Sequence, residues 1–263
     1  MNKPAHEPDA TDRGERIAKW LARAGVASRR DAEQMIEAGR IALNGRKVTH
    51  PATFVTETDV VAVDGKPADS PERSRLWCYH KPVGRVTTHK DPQNRPTVFE
   101  AMPEEMPRVI SIGRLDINSE GLLLLTNDGG LARRLELPSN GWLRRYRVRV
   151  FGVVDESRLR ALAKGSEFDG VRYGPIEAGL DSVKGDNSWL TVSLREGKNR
   201  EIRKVMMGLN LHVSRLIRLS YGPFSLGELP AGALEEVPAK MMRAVLPRDT
   251  EAASPKRKPA PRS

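Results

Sequence analysis

The chain has 263 residues, 38% hydrophobic and 30% charged, enough for one large domain or two unequal ones around a proper core. No stretch approaches the 18 apolar residues of a membrane-spanning helix, and the polar segment 1–15 lacks the apolar region of a secretory signal. A single cysteine, Cys78, excludes an intrachain disulfide and a cysteine-based zinc site, and no two of the five histidines stand at metal-ligand spacing. A reduced, cytoplasmic, metal-free protein is therefore expected.

Lys plus Arg number 44 against 34 Asp plus Glu, a net charge of +10. The excess is clustered: residues 16–47 hold eight basic against three acidic residues, and residues 193–218 hold seven against two. Only five basic residues fall in 248–263, so a basic tail does not account for the balance. Such clusters call for a polyanionic partner, and nucleic acid is the first candidate.

In chain order, residues 1–15 and 248–263 read as a disordered lead and a disordered basic tail. Ile17, Leu21 and Ala24 recur at helical spacing, and Gly25 ends that helix. Ser28 with Asp31 forms a weak capping box before a second helix carrying Ala32, Met35 and Ile36, closed by Gly39. Asn44-Gly45 between short apolar runs marks a hairpin, and Asp64-Gly65 follows a strand over 60–63. This makes a small module over 16–70, and the polar, Pro-containing segment 71–75 is a linker.

The strings RIAKWLARAGVASRR (16–30) and IEAGRIALNG (36–45) resemble the ribosomal-protein S-four-type RNA-binding domain. The resemblance implies RNA contacts at Arg16, Lys19, Arg23, Ser28, Arg29, Arg30 and Arg40. Guanidinium forks at these positions suit phosphate oxygens on their own account.

Residues 76–247 change to strands over 76–80, 109–112, 121–126, 146–151, 188–194 and 212–220, with helices over 129–136, 156–163 and 199–209. Tyr146, Val148 and Val150 alternate with Arg147 and Arg149, the pattern of an antiparallel sheet with one wetter face. The fold class is α+β: a mixed, mainly antiparallel sheet with flanking helices. Cys78 reads as a buried small hydrophobe, and Trp20, Trp189, Met206 and Met207 fit core packing as well as a site.

The segment GRLDINSEGLLLLTNDG (113–129) presents Asp116 on a Gly-Arg turn anchored by an apolar strand. A calcium loop is rejected, because residues 122–125 are strand-like and Asn127 stands where a bidentate Glu belongs. Converging carboxylates for a two-metal nuclease are not assembled from this sequence. Together with Lys81-Pro82-x-Gly84 and Arg95-Pro96-Thr97-Val98, the segment resembles the active-site motifs of the RsuA/RluB-type ribosomal pseudouridine synthases.

That resemblance implies that Asp116 is the catalytic aspartate and that Tyr146, in LRRYRV (143–148), is an active-site tyrosine. It implies that Arg114 enters the RNA stack when the base is flipped out. The segment EGKNREIRK (196–204) would supply a cation for the aspartate, placed on the motif register at Arg203 with Arg200 as competitor on the same helical face. Lys198 and Arg200 would otherwise bind RNA. An ionised carboxylate in a dry pocket needs such a cation beside it.

The expected reaction is isomerisation of uridine to pseudouridine in ribosomal RNA or a preribosomal particle, large-subunit (23S) ahead of small-subunit (16S), by a monomer; with no redox change and no net bond lost, it needs no cofactor and no metal. A noncatalytic ribosome-assembly factor and a transfer-RNA-directed synthase are the alternatives.

Overall fold

The computed structural model describes residues 14–245. The tail expected over 248–263, and the lead apart from its last two residues, lie outside the described residues.

The first unit contains β1 (Glu15–Arg16), α1 (Ile17–Arg23), α2 (Arg29–Glu37), β2 (Ile41–Leu43), β3 (Arg46–Lys47), β4 (Phe54–Val55), β5 (Val61–Val63) and β6 (Lys66–Pro67). Its helices and hairpins follow local chemistry. The Ser28 hydroxyl accepts the Asp31 N–H at 3.1 Å and caps α2. Asn44 and Gly45 take left-handed φ values of 51° and 77°, as a two-residue hairpin turn demands. Ile17, Leu21, Ala32, Ile36, Ile41 and Val61 form a separate core, with Trp20 packed among them. One expectation is corrected here. Glu15 belongs to β1, pairs with Val55, and takes ion pairs from Lys19 at 2.7 Å and Arg23 at 3.0 Å, so the end of the lead is tied down.

After residues 71–75, which are neither helix nor strand, come β7 (Leu76–Lys81), β8 (Ile110–Ile112), β9 (Glu120–Thr126), α3 (Gly129–Glu136), β10 (Arg144–Phe151), α4 (Glu156–Ala161), β11 (Ser166–Phe168) and β12 (Val171–Tyr173). Then follow β13 (Ile176–Lys184), β14 (Asn187–Leu194), α5 (Glu201–Gly208), β15 (His212–Tyr221), β16 (Phe224–Ser225), β17 (Leu234–Glu236) and α6 (Ala239–Val245). Nine strands form one sheet along the path β13-β14-β10-β15-β9-β7-β17, with β8 and β16 at its sides. Every pairing is antiparallel except β15 with β9.

Strand β9 explains the run of four leucines. Leu122 and Leu124 pack with Leu131 and Leu135 of α3 on one face, while Leu123 and Leu125 pack with Trp77, Tyr79 and Leu115 on the other. Each fully buried leucine contributes about 2 kcal/mol, so this strand is the anchor for the loop that precedes it. A third cluster places α4 and α5 over β10 and β14, through Val148, Val150, Leu190, Val192, Val205 and Met206.

Gly121 marks where β9 meets β15. Its φ is +103°, and a Cβ there would lie 2.4 Å from the Arg218 carbonyl oxygen. Both the backbone conformation and the space forbid a side chain. Gly121→Ala is expected to cost several kcal/mol, roughly 3 or more, read as a large fall in melting temperature; an unchanged melting temperature would contradict it.

Several expectations differ from the structure in this region. Strand β13 was not anticipated, and α5 begins at Glu201 instead of residue 199, because Arg200 takes a left-handed conformation (φ 52°, ψ 31°). Cys78 is half-buried and not fully enclosed, with burial pushing its thiol up to about 11. Trp20 and Met206 are core residues, whereas Met207 is exposed.

Candidate active site

Asp116 sits in the tight loop between β8 and β9, and that loop is held by its carbonyl oxygens. The Leu115 carbonyl accepts the Thr87 hydroxyl at 2.9 Å, and the Ile117 carbonyl accepts the Gly84 N–H at 2.8 Å. The Lys81 ammonium donates to the carbonyls of Asp116 (3.1 Å), Ser119 (2.8 Å) and Pro82 (3.0 Å). Arg203 donates to the Asn118 carbonyl at 2.7 Å. All five carbonyls from 115 to 119 are thus engaged by donors from β7, the segment after it, and α5. The loop is fixed through its backbone, which leaves the Asp116 carboxylate free to face outward.

Lys81 is fully buried at the centre of this arrangement. Burial pushes its pKa down to about 8, opposed by the carboxylates of Asp116 and Glu120. A buried ammonium is tolerated only where its donors are used, and here all three are.

A cavity of about 450 Å³ opens over Asp116, lined among others by Arg114, Tyr146, Arg200 and Arg218. Arg114 is exposed on the turn made by Gly113 (φ +68°), whose N–H is held by the Glu136 carboxylate at 2.6 Å. Tyr146 is buried on β10, directly across from Arg218 on β15. Arg218 is 3% exposed; its Nε donates to the Leu122 carbonyl at 2.7 Å, while Nη2 is buried with no hydrogen-bond partner among the described residues. A buried guanidinium with an unused N–H at the wall of a pocket is a ready donor to a bound carbonyl or phosphate oxygen.

Comparison with known proteins gives the family. A family model described as RNA pseudouridylate synthase matches residues 75–207, and the S4 domain model matches residues 15–61. An uncharacterized RNA pseudouridine synthase of Rickettsia bellii is 50% identical, over 87% of this chain and 99% of its own length. Ribosomal large subunit pseudouridine synthase B of Salmonella typhi is 43% identical, over 85% of this chain and 79% of its own length. The chain belongs to the RNA pseudouridine synthase family. A solved pseudouridylate synthase shares the fold, with a TM-score of 0.60 and 24% identity over 88% of this chain and 99% of that one.

The synthase's cation beside Asp116 is Arg200, with Nη1 3.4 Å from Oδ2. The expected contact from Arg203 is corrected: its guanidinium is directed to the Asn118 and Val213 carbonyls, and burial together with the nearby Arg200 charge lowers its pKa. The left-handed Arg200 backbone lies before α5, so the two arginines do not share the helical face that was expected. That turn is itself fastened by Glu201, whose Oε2 accepts the Lys198 N–H at 2.8 Å. Burial, then the neighbouring Glu196 carboxylate, pushes the Glu201 pKa up to about 7.

The two arginines should separate experimentally. Arg200→Ala is expected to lower the single-turnover rate at saturating RNA about 10- to 100-fold with little change in melting temperature, because exposed ion pairs contribute little to folding. Arg203→Ala should lower rate and melting temperature together, since it strands two carbonyls. Equal behaviour of the two variants would contradict this division.

The remaining expected contacts divide by availability. Arg16, Arg29 and Arg30 are exposed and have no ion-pair partner among the described residues. Lys19 and Arg23 share Glu15, Arg40 is forked onto Asp64, and Ser28 is occupied as the α2 cap. Lys198 lines the pocket but is committed to the Arg172 carbonyl and to Glu196. Sequence reasoning missed Arg218 and the role of Lys81; the inward parity of Arg218 with Leu216 in a strand was the available signal for the first.

Proposed function

We propose that this pseudouridine synthase modifies uridine in large-subunit (23S) ribosomal RNA, acting as a monomer with its S4 domain on the RNA. The observation that carries the reading is the Asp116 loop, a carboxylate held by backbone contacts in a cation-lined pocket, in a chain 43% identical to a ribosomal large subunit synthase. In the reaction the bond from the ribose to N1 of uracil breaks and a bond to C5 forms, so a proton leaves C5 and N1 ends protonated. Asp116 initiates by attack on the sugar carbon or by taking a ribose proton. Tyr146 stacks on the extruded base and its hydroxyl moves a proton. Arg200 holds the carboxylate, Arg203 holds its loop, and Arg114 fills the vacated stack.

Purified protein incubated with large-subunit, small-subunit and transfer RNA transcripts, followed by mapping of pseudouridine, tests the substrate class. The reading expects product at a defined position of the large-subunit transcript; product only in one of the other two would refute it. Changing Arg16, Arg29 and Arg30 to Gln is expected to lower the slope of log affinity against log salt by about 2 to 3. An unchanged slope would mean that these residues do not touch phosphate.

A further inference from the structure

The segment RRYRVRVF (144–151) supplies the pocket with only one of its two faces. Tyr146, Val148 and Val150 point inward under α4 and α5, whereas Arg145, Arg147, Arg149 and Phe151 are all exposed on the other side. Among the described residues, those three arginines make no ion pair. Arg149 lies directly opposite Arg215 on one neighbouring strand and Trp189 on the other. The Arg147 guanidinium rests 4.6 Å above the Trp189 ring. Phe151, at the end of the row, is 52% exposed.

Solvation of a strand face needs only polar residues. This one sets like charges along one strand and opposite each other across two, which is unfavourable, and it adds an aromatic ring in water. Glu120 is paired with Arg215, and Asp181 accepts the Thr191 hydroxyl at 3.0 Å on the sheet's edge side, where Glu177 stands exposed two strands away from Arg145. Outward residues step along a strand by roughly 6.8 Å, so the arginines form a line of cations with stacking surfaces beside it. That combination of backbone-tracking charge and aromatic faces is how single-stranded nucleic acid is held on an open sheet.

We propose that the outer face of β14, β10 and β15 is a second RNA-binding surface, which takes a single-stranded segment of the substrate RNA lying outside the catalytic pocket. It rests on the reading that the substrate is a large folded RNA, which has segments to spare beyond the target uridine. Arg145, Arg147 and Arg149 contact successive phosphates, and bases stack on Phe151 and on the Arg147–Trp189 pair.

The test uses the full chain with Arg145, Arg147 and Arg149 changed to Gln, a separate Phe151→Ser variant, and a control with Arg158, Arg160 and Arg172 changed to Gln. Binding to large-subunit ribosomal RNA is measured across a salt series, and melting temperatures confirm folding. The arginine variant is expected to bind at least about tenfold more weakly, with the log–log salt slope reduced by about 2. Phe151→Ser is expected to weaken binding about fivefold or more without changing the slope. Wild-type affinity and slope in the arginine variant, or the same flattening in the control, would overturn the proposal. So would a loss seen with a protein-containing preribosomal particle and not with naked RNA, which would assign the face to a protein partner. If wild type makes no pseudouridine in ribosomal RNA while these binding differences persist, the proposed substrate fails and this surface stands.

Discussion

Asp116→Asn is expected to reduce pseudouridine formation to background while RNA affinity stays close to that of the wild type. The substitution preserves shape, and the hydrogen bonds that fix the loop run through backbone groups from 115 to 119. Among the described residues, the side chain's one polar contact is the half-exposed pair with Arg200 at 3.4 Å. A pair of that kind is worth about 0–1 kcal/mol, so the loop and the melting temperature should hold. The chemistry does not survive, because an amide neither attacks the sugar carbon nor takes a ribose proton. Single-turnover measurement with saturating RNA separates the two effects. Turnover at more than a few per cent of the wild-type rate (roughly 2 kcal/mol of lost stabilisation) would remove Asp116 from the reaction.

The second large effect is expected at Lys81. Removing the ammonium in Lys81→Met has two opposed consequences. Its pKa of about 8, down from the usual 10.5, puts the cost of burying the charge at about 3 kcal/mol, and methionine recovers that. Three carbonyls lose the ammonium; that of Asp116 keeps the Ser119 N–H at 3.0 Å, and the other two cost about 1–3 kcal/mol each. The two effects are of similar size, so the variant should fold with a stability within a few kcal/mol of the wild type. The rate should fall further than stability alone accounts for, about 100-fold, because the Asp116 and Ser119 carbonyls are no longer tied to β7 and the carboxylate drifts. A folded Lys81→Met protein with wild-type rate would contradict this role.

The same group predicts a pH signature. Below about pH 8 Lys81 is protonated in both folded and unfolded chains. Between about 8 and 10.5 the unfolded chain still holds a proton that the folded one has released, so this group's contribution to stability rises with pH. Activity should move the other way, because a neutral amine has two N–H groups for three carbonyls. A rate that declines through pH 8 without a matching decline in melting temperature is the expected pattern.

Local chemistry was legible in the sequence. Ser28 before α2 and Asn44-Gly45 between β2 and β3 act within a few residues, and both appear where turn and cap rules place them. The four-leucine run of β9 also reads correctly as a buried strand. Strand β13 left only a short signal: it is a sheet edge with most of its residues exposed, and Ile176, Ala178 and Leu180 alternate with Glu177, Gly179 and Asp181 only as far as the register shift after Leu180. Glu15 escaped because its partner strand lies some forty residues away.

The site shows the same boundary. Asp116, Tyr146 and Arg114 carry their own motif and line one pocket. The motif register chose Arg203, but the contact with Asp116 comes from Arg200, a left-handed residue before α5 whose conformation the sequence pattern did not reveal. Lys81 reaches the Asp116 carbonyl across 35 residues, a contact that spacing does not encode.

The most direct test of the account is a map of pseudouridines in large-subunit ribosomal RNA from cells lacking this protein, complemented with the wild-type chain or with Asp116→Asn. The account predicts that at least one large-subunit pseudouridine disappears on deletion, returns with the wild type, and stays absent with Asp116→Asn. Loss of no ribosomal position, or restoration by Asp116→Asn, would contradict it.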